Sequence, residues 1–393
     1  MNNLTKASTR LSPMAFAILG LTATSANAAV TIYDDPEVAS VSVDASFNTF
    51  YVNSSTENDI SGVDRDQSRV KMGFLPNWVG MTFSKDINGV KVGGRSSFWV
   101  TINDSNTGVT STGIDVRQFY ATLDFDWGQI LVGKDFTLFN RSNIFLDEIL
   151  IGYGNVNDTL GLIDGQGVSF GNIGSGYTYP FPTSQITYRS PEFGGGFKLA
   201  IGLIDPSNTS IDAGPGRTSE ESMPRIEAEL TYTTTFENGM FNAFVGMLNQ
   251  TTESDVAGDV ESNGVSYGAK VNVGGFALHA SGFSGEAIGF LLGPTDNALG
   301  LQGLMYENGD EVDSSGYLVQ GSYKAGDNRF VISYGNTEVE TETPWEMDAT
   351  QLAWFHTFNS AVTFVAEYDM NEISIGGATE DVDTIALGAV INF

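Results

Sequence analysis

From Val38 to Val52 the chain alternates. Val41, Val43, Ala45, Phe47, Thr49 and Tyr51 fall on one face, and Ser42, Asp44, Ser46 and Asn48 on the other. A period of two is that of an extended strand with one apolar face. The same alternation recurs to the end of the chain. Val70, Met72 and Phe74 oppose Arg69 and Lys71, and Val90, Val92, Ser96, Phe98 and Val100 oppose Lys91, Arg95 and Ser97. Phe197, Leu199, Ile201 and Leu203 oppose Lys198, Ala200 and Gly202, and Ile226, Ala228, Leu230 and Tyr232 oppose Glu227, Glu229, Thr231 and Thr233. Val265, Tyr267, Ala269, Val271 and Val273 oppose Ser266, Lys270 and Asn272. The last run, Ile385, Leu387, Ala389, Ile391 and Phe393, opposes Thr384, Ala386, Gly388 and Asn392. The pattern predicts an all-β chain.

The connections alternate too. Short turns stand at Asn88-Gly89, Glu237-Asn238-Gly239, Gly274-Gly275, Gly326-Asp327-Asn328 and Asn359-Ser360, with the residues tight hairpins require. Between them lie longer polar segments: Ser54–Asp66, Asp104–Gly113, Asp205–Met223, Thr252–Ser262, Ser284–Asp313, Thr337–Met347 and Asn371–Glu380. Short turns at one end and long loops at the other describe a transmembrane antiparallel β-barrel, and hairpin counting gives about 16 strands. Pro76-Asn77 reads either as a kink inside one strand or as a turn between two. A sandwich also alternates, but its strands average about 5–6 residues, whereas many strands here have the ~10 needed to cross a membrane at a tilt. The repeating unit is the hairpin; no linker or domain boundary interrupts residues 29–393.

A face of Ser, Asp, Asn, Thr, Lys and Arg cannot be a dry core, because burying such groups unpaired costs several kcal/mol each. A water-filled lumen removes that cost, and barrels of about 16 strands leave an aqueous channel. Composition agrees. There are 26 Phe, 14 Tyr, 5 Trp and 46 Gly, while mean hydropathy is only −0.06. The first 28 residues stand apart: Lys6 and Arg10, an apolar stretch over Pro13–Thr24, then Ala26-Asn27-Ala28. They read as a secretory signal cleaved after Ala28, the apolar stretch being shorter than the ~20 residues of a spanning helix.

Charge and chemistry narrow the function further. Lys and Arg number 18 against 48 Asp and Glu, a net charge of −30, which argues against nucleic acid as a partner. There is no cysteine, so the fold rests on its hydrogen-bonded wall. A barrel enzyme needs a nucleophile with a base, but the only histidines, His279 and His356, have no serine motif beside them. Zinc spacing is absent, and the glycine cluster from Gly165 does not link a strand to a helix as a phosphate cradle would. Acidic stretches such as Asp310–Asp313 and Glu338–Glu342 lack calcium-loop spacing and read as solvated charge. No cofactor and no metal is expected.

One segment breaks the alternation. "FNRSNIFLDEILIGYG" (Phe139–Gly154) opens a run of roughly 45 residues without a clear strand, and loops that long are usually functional. Ile144, Phe145, Leu146 and Ile149–Ile151 need shelter; Asp147, Glu148, Asp158 and Asp164 need water or partners. Two readings follow: a segment folded into the barrel with apolar residues on the wall and carboxylates toward the water, or an ordinary outside loop.

"SRVKMGF" (Ser68–Phe74), "DVRQFYATL" (Asp115–Leu123), "GQILVGKDF" (Gly128–Phe136), "ITYRSPEFGGGFKLAIGL" (Ile186–Leu203), "FVAEYDM" (Phe364–Met370) and the terminal "LGAVINF" resemble, in this order, the Gram-negative general-diffusion porins of the outer membrane. The resemblance implies a 16-stranded barrel, usually a homotrimer in outer-membrane lipid and lipopolysaccharide. It implies passage of small hydrophilic solutes and ions, and a third outside loop, here about 136–183, folded inward as a constriction. By the same resemblance Arg69, Arg117 and Arg189, with Lys71 and Arg95 on the same polar faces, form a basic wall. Asp147 and Glu148, followed by Asp158 and Asp164, form the acidic loop, and Phe393 matches the C-terminal assembly signal. The inserted loop departs from the family in being longer and glycine-rich ("GLIDGQGVSFGNIGSG"). Arg69 and Arg189 stand opposite apolar faces and are lumenal on physical grounds as well, since an arginine at mid-membrane costs about 2–4 kcal/mol. Arg117 shares its face with Asp115 and Phe119. The acid excess suggests a mild cation preference. A substrate-selective channel with a binding site on the long loop is the alternative.

Overall fold

The computed structural model describes residues 29–35, 38–103, 114–154, 171–206, 219–254, 258–289 and 305–393; the expected signal segment lies outside them. β1 (Val30–Asp35) folds back on the start of β2 (Ala39–Asn58), followed by β3 (Arg65–Lys71), β4 (Asn77–Ile87), β5 (Val90–Val100), β6 (Asp115–Phe125) and β7 (Gly128–Asp135). A short helix, α1 (Arg141–Leu146), lies before β8 (Thr183–Arg189), and β9 (Phe197–Ile204), β10 (Ser219–Glu220), β11 (Arg225–Phe236), β12 (Gly239–Ser254), β13 (Gly258–Val273) and β14 (Phe276–Glu286) come next. A small hairpin, β15 (Tyr306–Glu307) and β16 (Asp310–Glu311), precedes β17 (Asp313–Ala325), β18 (Asn328–Val339), β19 (Trp345–Thr357), β20 (Val362–Ile375) and β21 (Ala378–Asn392).

The first and last wall strands pair, β2 with β21 from Ser46↔Asn392 to Asn58↔Glu380. Closure leaves no edge whose unpaired amides would face lipid. On its other side β2 pairs with β4 over Ser40–Ser46 and with β3 over Phe50–Thr56. β3 and β4 are therefore two halves of one wall strand, and the wall is a closed antiparallel barrel of 16 strands. This settles the reading of Pro76-Asn77: the chain leaves the wall over Met72–Pro76 and rejoins the same strand. Asn48 spans the gap, its Nδ2 donating to Leu75 O at 2.7 Å and its Oδ1 accepting from Gly73 N–H at 2.7 Å. Met72 and Phe74, expected beside Val70 on the apolar outer face, are instead buried at 1% and 4% exposure, while Val70 is 65% exposed. The alternation ends where the strand does, so the residues after Lys71 follow the inward excursion.

Elsewhere the two faces separate as expected. The exposed positions carry Val132, Ile186, Leu203, Val245, Leu278, Ile332, Leu352 and Leu387, an apolar outer surface. Aromatic pairs gather near the short turns: Phe125–Trp127, Phe197–Tyr232, Phe276–Tyr323, Phe358–Phe364 and Phe47–Phe393. A ring girdle at one end is the mark of a membrane interface. Several of the expected long loops are shorter than the polar runs suggested. β12 and β13 stay paired to Ser254↔Gly258, β18 and β19 to Val339↔Trp345, and β20 and β21 to Ile375↔Ala378. Beyond the apolar band both faces of a strand meet water, so polar residues continue the ladder without alternating.

Candidate functional site: a loop held across the barrel interior

The segment between β7 and β8 turns inward at Asp135, whose buried carboxylate accepts from Gln118 Nε2 at 3.0 Å and meets Arg141 at 3.3 Å and Arg189 at 3.5 Å. The backbone then crosses to strands later in the sequence. Leu138 and Phe139 N–H donate to Glu227 Oε2 at 2.6 and 2.8 Å. Asn140 takes a left-handed conformation (φ 59°) ahead of α1, a position asparagine tolerates. Its Nδ2 donates to Thr178 Oγ1, tying the outgoing and returning limbs together. Ser142, in the first turn of α1, donates through N–H and Oγ to Glu229.

Asp147 and Glu148 follow, and neither faces open water; their exposures are 7% and 8%. Asp147 accepts from Gln320 Nε2 at 2.7 Å, Tyr177 Oη at 2.9 Å and Asn172 Nδ2 at 3.0 Å. Glu148 forms ion pairs with Lys270 and Arg329, the latter at 2.7 Å. Burial acts to raise the Glu148 carboxyl, but Lys270 and Arg329 outweigh it and hold the group below the usual carboxylate range. The sequence expectation that these carboxylates face the water thus differs from the structure. A carboxylate turned to the wall needs its own cations, and inward positions of β13 and β18 supply them. The apolar residues behave as expected: Ile144, Ile149 and Leu150 are buried, Ile149 beside Val331, Ala353 and Phe355 of the wall.

Further on, Tyr153 and Gly154 N–H donate to Glu367 of β20 at 3.0 and 2.6 Å. Gly152 O accepts from Phe74 N–H, joining the loop to the break between β3 and β4. On the return, Gly176 N–H donates to Thr337 Oγ1 at 2.9 Å. Gly335 allows this approach, since a Cβ there would stand 1.9 Å from Ser175 O. Asp158 and Asp164 lie outside the described residues.

The basic residues lie on the other side of the circumference, on β3, β5, β6 and β8. Arg95 is engaged, donating to both oxygens of Asp44 at 2.7 and 2.8 Å and to Gln118 at 2.8 Å. Arg189 points inward with long contacts to Gln129 (3.4 Å) and Asp135 (3.5 Å). Arg69 sits across from Val52 on the inward side of β3, and Lys71 is 2% exposed. Arg117, ambiguous by alternation, is turned inward by a β-bulge: β5 and β6 pair at Ser97↔Gln118 and next at Trp99↔Asp115. The extra residue re-aims the side chain. The guanidinium lies 5.0 Å from the Trp99 ring and donates to Tyr179 of the loop at 3.0 Å.

Sequence reasoning missed the residues that hold the loop: Glu229, Lys270, Gln320, Arg329 and Glu367. The available signal was charge on the polar face of later strands, as in Glu227-x-Glu229 and Glu367-x-Asp369. His279 is buried on β14, 3.4 Å from Gln320, and His356 stacks on Trp354.

Known proteins give the same picture. The DcaP outer membrane channel of Acinetobacter baumannii is similar over 93% of this chain and 100% of its own, with 17% identity and a TM-score of 0.65. The anion-selective porin from Comamonas acidovorans is similar over 90% and 100%, with 15% identity and a TM-score of 0.62. Salmonella typhi OmpF in complex with daunomycin follows at 93% and 100%, 15% and 0.56. Among curated proteins none matches. The family model for Gram-negative porins matches residues 15–384. With a closed 16-strand wall and a match over nearly its whole length, the chain belongs to the Gram-negative porin family, the channel-forming barrels of the outer membrane.

Proposed function

We propose that this porin mediates passive diffusion of small hydrophilic solutes and ions, with a mild cation preference and no chemistry of its own. The observation that carries the reading is that the described parts of the loop, 136–154 and 171–182, are drawn inside the wall and bonded to β11, β13, β17, β18 and β20. A segment so held narrows the passage, with Arg69, Lys71, Arg95, Arg117 and Arg189 on the facing wall. Because Asp147 and Glu148 are paired, we assign the cation preference to the overall acid excess. Residues 1–28 are a cleaved signal, Phe393 serves barrel assembly, and the chain is a homotrimer in contact with lipopolysaccharide.

A liposome-swelling series of graded sugars and amino acids tests this. Rates falling smoothly with solute size are expected; saturation by one solute would replace general diffusion with selective transport. The selective reading has one observation in its favour. Trp78, Trp99, Phe136, Phe145 and Tyr179 form a ladder of rings, with Arg117 and Arg141 over the Trp99 and Phe145 faces. Trp99 and Phe136 are buried, but Trp78, Phe145 and Tyr179 keep partial exposure, and such rings suit aromatic or planar solutes, which the swelling series should therefore include.

A further inference from the structure

One level of the inner wall runs in register from strand to strand: Lys270↔His279, His279↔Gln320, Gln320↔Ser333, Ser333↔Gln351, Gln351↔Asp369 and Asp369↔Thr384. The loop satisfies the first half of this level. Gln320 donates to Asp147, and Ser333 Oγ donates to Asn172 Oδ1. The second half differs. Gln351 and Asp369 are 0% exposed and Asn371 is 9% exposed. Both amide atoms of Gln351 and both of Asn371 are buried with no hydrogen-bond partner among the described residues, and the buried Asp369 oxygens meet only the neighbouring carboxyl of Glu367. Glu367, two residues before Asp369, spends its oxygens on Tyr153 and Gly154 N–H, and its carboxyl lies against that of Asp369. No described ion pair involves either acid.

Buried polar atoms in native proteins are nearly always partnered, and a buried carboxylate without a counter-charge is among the costliest groups a fold can hold. Six such atoms fall together here on the paired strands β19 and β20, four of them oxygens: Asp369 Oδ1 and Oδ2, Gln351 Oε1 and Asn371 Oδ1. Carboxylate plus amide carbonyl is a hard donor set. It suits a calcium-type cation, which accepts six to eight oxygens in a flexible geometry and completes its shell with water. Zinc would call for histidine or cysteine. The two amide NH2 groups would donate to the shell waters.

We propose that Asp369, Gln351 and Asn371, with Glu367 beside them, form a divalent-cation site in the wall behind the loop. The cation would offset the carboxylate charge that the described residues leave without a basic partner. Because Glu367 also holds Tyr153 and Gly154, an ion at this site braces the loop from behind, and its loss loosens the Gly152–Gly154 attachment.

The test uses the full chain refolded into lipopolysaccharide-free detergent and stripped with EDTA, so that no lipid-borne calcium is carried along. Calcium is titrated by calorimetry, and barrel unfolding is followed by heat-modifiable gel mobility. One equivalent of calcium per chain and a raised unfolding temperature are expected. Asp369→Asn and Gln351→Leu should each weaken binding by about tenfold or more while still migrating as folded barrels. Should Asp369→Asn fail to fold, Gln351→Leu decides alone, since it leaves both carboxylates in place. Calcium binding at full strength in the folded variants would put the ion elsewhere and overturn the proposal. A stripped protein that ignores calcium at neutral pH but is stabilised by acid would overturn it too, showing that Glu367 and Asp369 share a proton instead.

Discussion

Glu148 is where charge and position meet. It joins the loop to Lys270 and Arg329, whose side chains keep 14% and 22% exposure. Glu148→Gln removes the only acid paired with both in the described structure. The expected cost is about 2–3 kcal/mol, below the ~3–5 of a fully buried pair because the cations retain some water. It should appear as a lower unfolding temperature and noisier single-channel current, with ion selectivity little changed. A large change of selectivity at constant stability would return Glu148 to the water-facing role. Its depressed carboxyl also fixes a pH response. The anchoring is fully present above the ordinary glutamate value of 4.5 and is lost as pH falls through the lower folded value. Current noise should therefore rise as pH falls below the ordinary glutamate value of 4.5 in the wild type and respond far less to pH in Glu148→Gln. The sequence showed Glu148 as a candidate but not its partners Lys270 and Arg329, which lie 122 and 181 residues away in the chain. Arg117 was hidden differently: a bulge shifts the count by one, and alternation cannot reveal a bulge.

The loop and the broken wall strand are the elements that depart from a plain barrel, and they touch each other at Phe74 and Gly152. Two substitutions separate their roles. Gly335→Ala puts a methyl group where Ser175 O now sits, and the loop must move off β18 toward the lumen axis. Single-channel conductance should fall, and the unfolding temperature with it, because the clash is with loop backbone and the Gly176–Thr337 bond is lost. Asn48→Ala should act chiefly on stability. It strands Gly73 N–H and Leu75 O at about 1–3 kcal/mol per group left unpaired, lowering the unfolding temperature with less effect on conductance. Strand elements were legible because lipid outside and water inside impose a period of two. The excursion at Met72–Pro76 was not, because its apolar residues extend the outer pattern of β3 by chance of spacing. The loop's apolar residues signalled shelter, but which wall would provide it depends on closure of the barrel, a global property.

For the molecule as a whole, a net charge of −30 acts over the Debye length, about 8 Å at physiological ionic strength and 3 Å at 1 M. A reversal potential favouring cations is expected in dilute KCl gradients and should shrink toward zero near molar salt. Persistence at molar salt would mean selectivity arises at close contacts in the narrow zone instead. The fold as a whole was the most legible level, since 16 alternating strands leave few other solutions.

The distances along the chain between the loop and its anchors bear on the order of assembly. Leu138 is separated from Glu227 by 89 residues, and Tyr153 from Glu367 by 214. Contacts so remote form only after the loss of chain freedom needed to join them. Until β11 and β20 are in place the docking surface does not exist, and Phe139, Ile144 and Ile149 are bare and prone to stick to other chains. Because β20 lies beside β21, the strand that closes on β2, Glu367 takes hold of Tyr153 and Gly154 as the wall itself closes, so the passage and its narrowing form together.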